Sequence, residues 1–256
     1  MGLLAWIDGR VVEASELRFE VPYILQRLHT LDYKVYAAAE HIRLLREDSE
    51  RLLGFATLCR IADVERIVSK LLELSNVSRS LSCPVAMRID ALGRLSFEVE
   101  APMYNAGYYL RAKRYEATAV VRYMPNSVAQ TSVSVAIDAM AESQAQCMGG
   151  GVALWVDEGG MLISRPWNPV FVYHNQCVYT PCEHSSVEYR NVRQAVERLG
   201  YKLIIRDIPL DKLVNIEEIF VADAMCLTSF SNINKHRLLS MAALRIAKKM
   251  EPTSKW

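Results

Sequence analysis

The sequence predicts an α+β protein of two domains. Its opening run is β-patterned, two helical stretches follow before strands resume, and the same mixture recurs in the second half. At 256 residues and 51% hydrophobic composition the chain can bury a large core, and its length favours two domains of ordinary size. A smaller N-terminal α/β domain is expected over residues 1–122 and a larger one over 123–256, with a cleft between them.

LLAWIDGRVVEA reads as a hairpin, because Asp8-Gly9 between apolar runs tolerates the positive φ of a tight turn. AAAEHIRLLREDSERLL, from Ala37 to Leu53, carries helix formers throughout, spaces Ile42, Leu45, Leu52 and Leu53 on a helical period, and meets a stop at Gly54. A second helix is predicted from Ile61 to Leu74, with Asp63 able to cap it and Val64, Ile67, Val68, Leu71 and Leu72 as its buried stripe.

PVAMRIDALGRLSFEVEAP gives two β-like runs around Leu92-Gly93, and YYLRAKRYEATAVVRYM continues the pattern to Pro125-Asn126, where the first domain should end. SVAQTSVSVAIDAMAESQAQ then reads as an Ala-rich helix stopped at Gly149-Gly150-Gly151. Strands follow in VALWVDEGGMLI and NPVFVYHNQCVYTP, turning at Glu158-Gly159-Gly160 and Asn175-Gln176. VEYRNVRQAVERLGYKLIIRDIP gives a helix closed by Gly200 and a strand, DKLVNIEEIFVADA a short helix and a strand, and HRLLSMAALRIAKKM a closing amphipathic helix.

Thirty Lys and Arg against 29 Asp and Glu leave a net charge of +1, which attracts neither nucleic acid nor an acidic membrane. No apolar run approaches the roughly 20 residues of a membrane-spanning helix, and MGLLAWIDGR lacks a signal-peptide pattern, so a cytoplasmic protein is expected. Six cysteines scattered through a chain of this size read as reduced, mostly buried thiols.

His174, Cys177, Cys182 and His184 fall within eleven residues, the ligand types of a zinc site without a standard spacing. Ordinary strand and turn residues are the expectation there, and no metal is expected. The glycines at 149–151 lie after a helix and before a strand, the reverse of a phosphate cradle. Arg43, Arg46 and Arg51 share their helix with Glu40, Glu47, Asp48 and Glu50, as a solvated face does.

Taken in order, WIDGRVV, AAAEHIRLL, the Ala-rich helix, the strand pair ending in VYTP, ERLGYKLIIRDIPLDKL and IEEIFVADA resemble the class IV aminotransferases. These are the fold type IV pyridoxal phosphate enzymes that include branched-chain and D-amino-acid aminotransferases and aminodeoxychorismate lyase. The likeness covers nearly the whole chain and implies the two-domain D-amino-acid aminotransferase-like architecture, a homodimer, and a small molecule in the interdomain cleft.

The resemblance also exposes what is missing. The position of the Schiff-base lysine, at the start of the Ala-rich helix, is Gln130, followed by Thr131; an amide cannot form an imine. The phosphate-holding arginine three residues after the helix histidine is Leu44, and Arg43 should point about 100° away. The glutamate that pairs with the pyridine nitrogen maps to Ser164, with Pro169 at the usual asparagine. The phosphate loop aligns with Ser186 to Tyr189, so Val187 and Glu188 occupy it; the threonine after the "adevf" strand is Ala224, and an earlier glutamate is Gln26. Neutral residues at such positions relieve the cost of buried charges left without an anion.

The resemblance with these losses implies a degenerate, non-catalytic member, a pseudoenzyme without cofactor, whose object is a small molecule or a partner. The alternative is an active pyridoxal-phosphate-dependent aminotransferase or lyase using another of Lys34, Lys70, Lys113, Lys202, Lys212, Lys235, Lys248, Lys249 or Lys255. A third reading is a cofactor-free enzyme drawing on Gln130, Thr131, Ser164, Tyr189 and Asp223 as polar pocket candidates, with Asp223 as the only carboxylate among them.

Overall fold

The computed structural model describes residues 2–111, 116–122, 128–233 and 235–253. Pro125-Asn126, Lys113 and Lys255 lie outside the described residues. In chain order the first elements are strands β1 (Leu4–Ile7), β2 (Arg10–Glu13), β3 (Tyr23–Leu31) and β4 (Lys34–Val35), helices α1 (Ala38–Leu53) and α2 (Ile61–Leu74), and strands β5 (Cys83–Asp90) and β6 (Leu95–Val99). There follow β7 (Tyr109–Arg111), β8 (Glu116–Val121), β9 (Gln130–Thr131), helix α3 (Ser132–Cys147), β10 (Val152–Val156), β11 (Val170–His174), β12 (Cys177–Thr180) and α4 (Val187–Arg198). The last are β13 (Lys202–Ile205), a 3-10 segment at Leu210–Asn215, β14 (Glu218–Ala222), β15 (Cys226–Ser229), β16 (Asn232–Ile233), β17 (His236–Arg237) and α5 (Met241–Ala247).

The chain forms two compact units: Met1–Gly107 with Ala129–Val133 and Glu251–Trp256, and Tyr108–Val128 with Ser134–Met250. The first is built on one antiparallel sheet in the order β2-β1-β6-β5-β3-β4, with β9 also paired to β3. Asp8 and Gly9 take φ of 50° and 81° to turn the opening hairpin. Strand β5 is buried along its whole length, because both its edges are paired and its side chains pack with Leu45 of α1 and Val64, Val68, Leu71 and Leu72 of α2. Each such aliphatic side chain contributes about 2 kcal/mol by leaving water.

Gly54 ends α1 in the left-handed conformation at φ 80°, where glycine carries no Cβ penalty. Helix α2 spans the predicted residues, but Asp63 does not cap it. Arg60 holds the N-cap position without a side-chain bond, and Asp63 lies in the first turn, 3.3 Å from Arg66.

The second unit has two sheets. The larger runs β13-β12-β11-β14-β15-β7 and the smaller β10-β8-β16-β17. One face of the larger sheet packs against α4 and α5 through Phe171, Phe220, Val192, Val196, Ala243 and Ile246. Val172, Ile219 and Val221 of that sheet pack in a second cluster with Leu154, Val156 and Ile233 of the smaller one. Ala141 and Ala145 of α3 pack against Val120, Ala153 and Trp155; alanines let the helix lie close to the strands.

The closing segment departs from the predicted long helix. His236–Arg237 pairs as a strand with Asn232–Ile233, and only Met241–Ala247 is helical. The thiols are less buried than expected: all six are free, Cys83 and Cys226 are buried, Cys147 is exposed and the rest lie between. Among the described residues no helix is long and apolar enough to cross a membrane.

Candidate functional site

Gln130 sits where a short strand hands over to a helix. Strand β9 pairs antiparallel with β3, placing Gln130 opposite Leu25 and Thr131 opposite Ile24, and α3 begins at the next residue. The backbone N–H of Tyr23 donates to the Ser132 hydroxyl at 3.4 Å. The Gln130 side chain is buried, at 9% exposure. A glutamine can occupy such a place at modest cost because an amide desolvates far more cheaply than an ammonium ion.

The same unit holds Gln26, His41 and Leu44. His41 Nδ1 donates to Gln26 Oε1 at 3.0 Å, which joins α1 to β3. Leu44 is buried at 5% exposure, and its neighbour Arg43 turns outward to pair with Glu47 at 2.8 Å. The seven described lysines, Lys34, Lys70, Lys202, Lys212, Lys235, Lys248 and Lys249, are all exposed.

In the second unit Ser164 is buried and doubly engaged: its hydroxyl accepts from Val170 N at 3.2 Å and lies 2.9 Å from His184 Nε2. Cys182 Sγ approaches the same nitrogen at 3.3 Å. Burial pushes the His184 imidazole down to about 4 and the Cys182 thiol up, so serine, histidine and cysteine form a neutral cluster near pH 7. A Ser164 hydroxyl that accepts from Val170 and donates to His184 satisfies both partners without a charge.

The four residues considered for zinc separate accordingly. His174 and Cys177 are register partners on the β11–β12 hairpin, while Cys182 and His184 join Ser164. Among the described residues no group of three or more His, Cys, Asp or Glu could hold a metal ion.

Residues 186–189 are not a loop. Ser186 is the N-cap of α4, its hydroxyl accepting from Tyr189 N at 3.3 Å, and Val187 and Glu188 form the buried first turn. An acidic residue there opposes the anion binding that a helix N-terminus otherwise favours. Tyr189 belongs to the core, its ring 5.9 Å from Phe171 and 5.8 Å from His184.

Asp223 opens the turn between β14 and β15. Its Oδ1 accepts from Met225 N at 2.7 Å and Cys226 N at 2.8 Å, as short polar side chains do in turns. Ala224 lies buried within the same turn. The backbone donors of the turn are therefore already used by the protein's own carboxylate.

One feature escaped the sequence altogether. Arg165, next to Ser164, is buried with Asp138 of α3 as its ion-pair partner. Trp167 Nε1 donates to the same carboxylate at 2.8 Å, Asn168 Oδ1 accepts from the guanidinium at 2.6 Å, and the guanidinium lies 4.4 Å from the Trp155 ring. Twenty-seven residues separate Asp138 from Arg165, so no local spacing announces the pair.

The family model for amino-transferase class IV matches residues 26–233. No curated protein sequence matches the chain. Among solved structures, the branched-chain aminotransferase of the archaeon Thermoproteus uzoniensis with norvaline is similar at a TM-score of 0.76 and 17% identity, over 97% of this chain and 93% of that one. The branched-chain amino acid aminotransferase of Escherichia coli gives 0.77 and 16%, again over 97% of this chain and 93% of that one. At these identities the structural likeness concerns the fold.

Proposed function

Since the chain belongs to the class IV amino-transferase family, we propose that it is a member that keeps the fold and has given up covalent pyridoxal phosphate chemistry. The observation that carries this reading is Gln130: a buried amide at the strand-to-helix junction where the family resemblance calls for the Schiff-base lysine. The residues present do not fit the cofactor. Leu44 offers no phosphate partner. Glu188 in the first turn of α4 repels an anion, and Asp223 already occupies the amides of Met225 and Cys226. The Ser164 hydroxyl, held by Val170 and His184, supplies no carboxylate for a pyridinium.

On this reading the chain is a cytoplasmic homodimer whose object is a small molecule or a partner protein, bound without the cofactor. Exposure of every described lysine supports it over an enzyme with a relocated nucleophile, because none of them lies in the desolvated setting that activates a Schiff-base lysine. Titration of the purified chain with pyridoxal phosphate, followed by absorbance, tests the reading. No aldimine band is expected; a saturable one at stoichiometric cofactor would make the chain a pyridoxal phosphate enzyme.

A further inference from the structure

The second unit contains a cavity of about 410 Å³ between strands β11 and β12 and the 3-10 segment. Cavities that hold small molecules occupy roughly 300–1,000 Å³ and combine apolar walls with a few polar groups. Val172, Ile208, Leu213 and Ile216 supply the apolar walls. The mouth carries Arg206 and Lys212, both exposed, against one carboxylate, Asp207.

The two cations are available. Among the described residues neither Arg206 nor Lys212 forms an ion pair. The Arg206 guanidinium lies over the Tyr179 ring, 4.2 Å from its centroid. Stacking holds the guanidinium plane against the aromatic face, and its N–H edge stays free for a second, in-plane partner. Tyr179 thus forms a wall of the cavity and fixes a donor at its entrance. Glu217, next to the lining residue Ile216, accepts from Asn175 N at 2.8 Å and lies 3.5 Å from His174, so it is turned to the hairpin.

From this arrangement we propose that the cavity binds an amphipathic monoanion, an acyl carboxylate whose apolar chain lies along Val172, Leu213 and Ile216 and whose carboxylate meets Arg206 and Lys212. The site is independent of the reading of Gln130, since no residue of the proposed cofactor positions lines it. An apolar chain alone would gain burial but leave the guanidinium edge unanswered. Inorganic phosphate alone would gain charge pairing but leave the apolar walls in water. The carboxylate with an acyl chain satisfies both, and a carboxylate held by a guanidinium forms charge-assisted hydrogen bonds.

Calorimetric titration of the full chain with octanoate, octan-1-ol and inorganic phosphate tests this. Octanoate is expected to bind one site, with octanol and phosphate each at least roughly tenfold weaker, the loss of one charge-assisted contact or of the apolar burial. Ile216→Trp, which fills the cavity, abolishes octanoate binding. Arg206→Glu, a change at an exposed residue, weakens octanoate at least roughly tenfold and leaves octanol unchanged. The melting temperature of each variant reports that it remains folded. Absence of octanoate binding, octanoate affinity unmoved by both substitutions, or phosphate binding as tightly as octanoate overturns the proposal.

Discussion

The carboxylate of Asp223 is bound to Cys226 at two points: Oδ1 accepts the Cys226 backbone N–H at 2.8 Å, and Oδ2 lies 3.3 Å from its sulfur. The sequence left Asp223 open as an acid or base; the structure gives it the work of closing a turn. Removing it strands two backbone donors, those of Met225 and Cys226. Asp223→Ala should therefore cost about 2 kcal/mol, while Asp223→Asn, which keeps a side-chain oxygen, should cost less than about 1 kcal/mol. Urea unfolding of the two variants checks the difference, and equal losses would mean the carboxylate's charge matters more than its acceptor.

Thiol reactivity is set by burial, with the Asp223 contact added. Burial, reinforced by the Asp223 charge, drives the Cys226 thiol far up, and burial pushes Cys83 up to about 12. Both should resist iodoacetamide in the native chain, whereas the exposed Cys147 reacts first. Peptide mass mapping after limited alkylation reads the order, and native labelling of Cys226 would contradict the turn as described.

These elements show what the sequence could carry. Local signals sufficed for the end of α1 and for two hairpins, because Gly54, Asp8-Gly9 and Asn175-Gln176 impose backbone geometry that neighbours alone determine, while α2 followed from its apolar stripe although its expected Asp63 cap does not form. They failed at His236–Arg237, where two residues pair with Asn232–Ile233 rather than extend a helix. They also failed at β15, a buried strand whose partners β14 and β7 fix it from across the sheet. The site divides in the same way. The placement of Gln130 at the start of the Ala-rich helix, where the resemblance puts the family's lysine, follows from motif order alone. The meeting of Ser164, Cys182 and His184 depends on how strands bring a loop to a hairpin, and motif spacing carries no trace of it.

His184 makes stability depend on pH. Its pKa in the fold, about 4, lies below the ordinary 6.5, so the unfolded chain binds the proton first. The stabilisation is fully present above about pH 6.5 and is lost as pH falls toward 4, amounting to about 2–3 kcal/mol. His184→Gln should flatten the pH dependence of the melting temperature in that window. An unchanged slope would place the imidazole in water.

Asp48 has the opposite sign. Burial raises its carboxyl to about 6, although Arg51 at 2.5 Å opposes the shift. Folding thus favours the protonated form, and stability falls as pH rises from about 4 to 6. Asp48→Asn should stabilise the chain at pH 7 by about 1 kcal/mol, after allowance for the solvent around Arg51, and give no advantage at pH 4. Thermal melts at the two pH values decide it.

Arg165 is a buried cation paired with the half-buried Asp138, and removing the carboxylate leaves the guanidinium without its closest counter-charge. Asp138→Ala should cost about 3 kcal/mol or more, and Arg165→Met combined with Asp138→Asn should recover a large part of that loss. Chemical denaturation of both variants tests the coupling; a double variant no more stable than Asp138→Ala would mean that the two side chains do not depend on one another.

On the proposed reading, with Gln130 at the Schiff-base position, the chain should form no aldimine with pyridoxal phosphate, and trapping chemistry decides this without reference to any substrate. The purified protein is incubated with stoichiometric pyridoxal phosphate, reduced with borohydride, and examined by intact mass and peptide mapping. An unmodified mass is expected. A single stoichiometric adduct on one lysine would contradict the proposed absence of covalent cofactor chemistry and would identify the lysine that carries it.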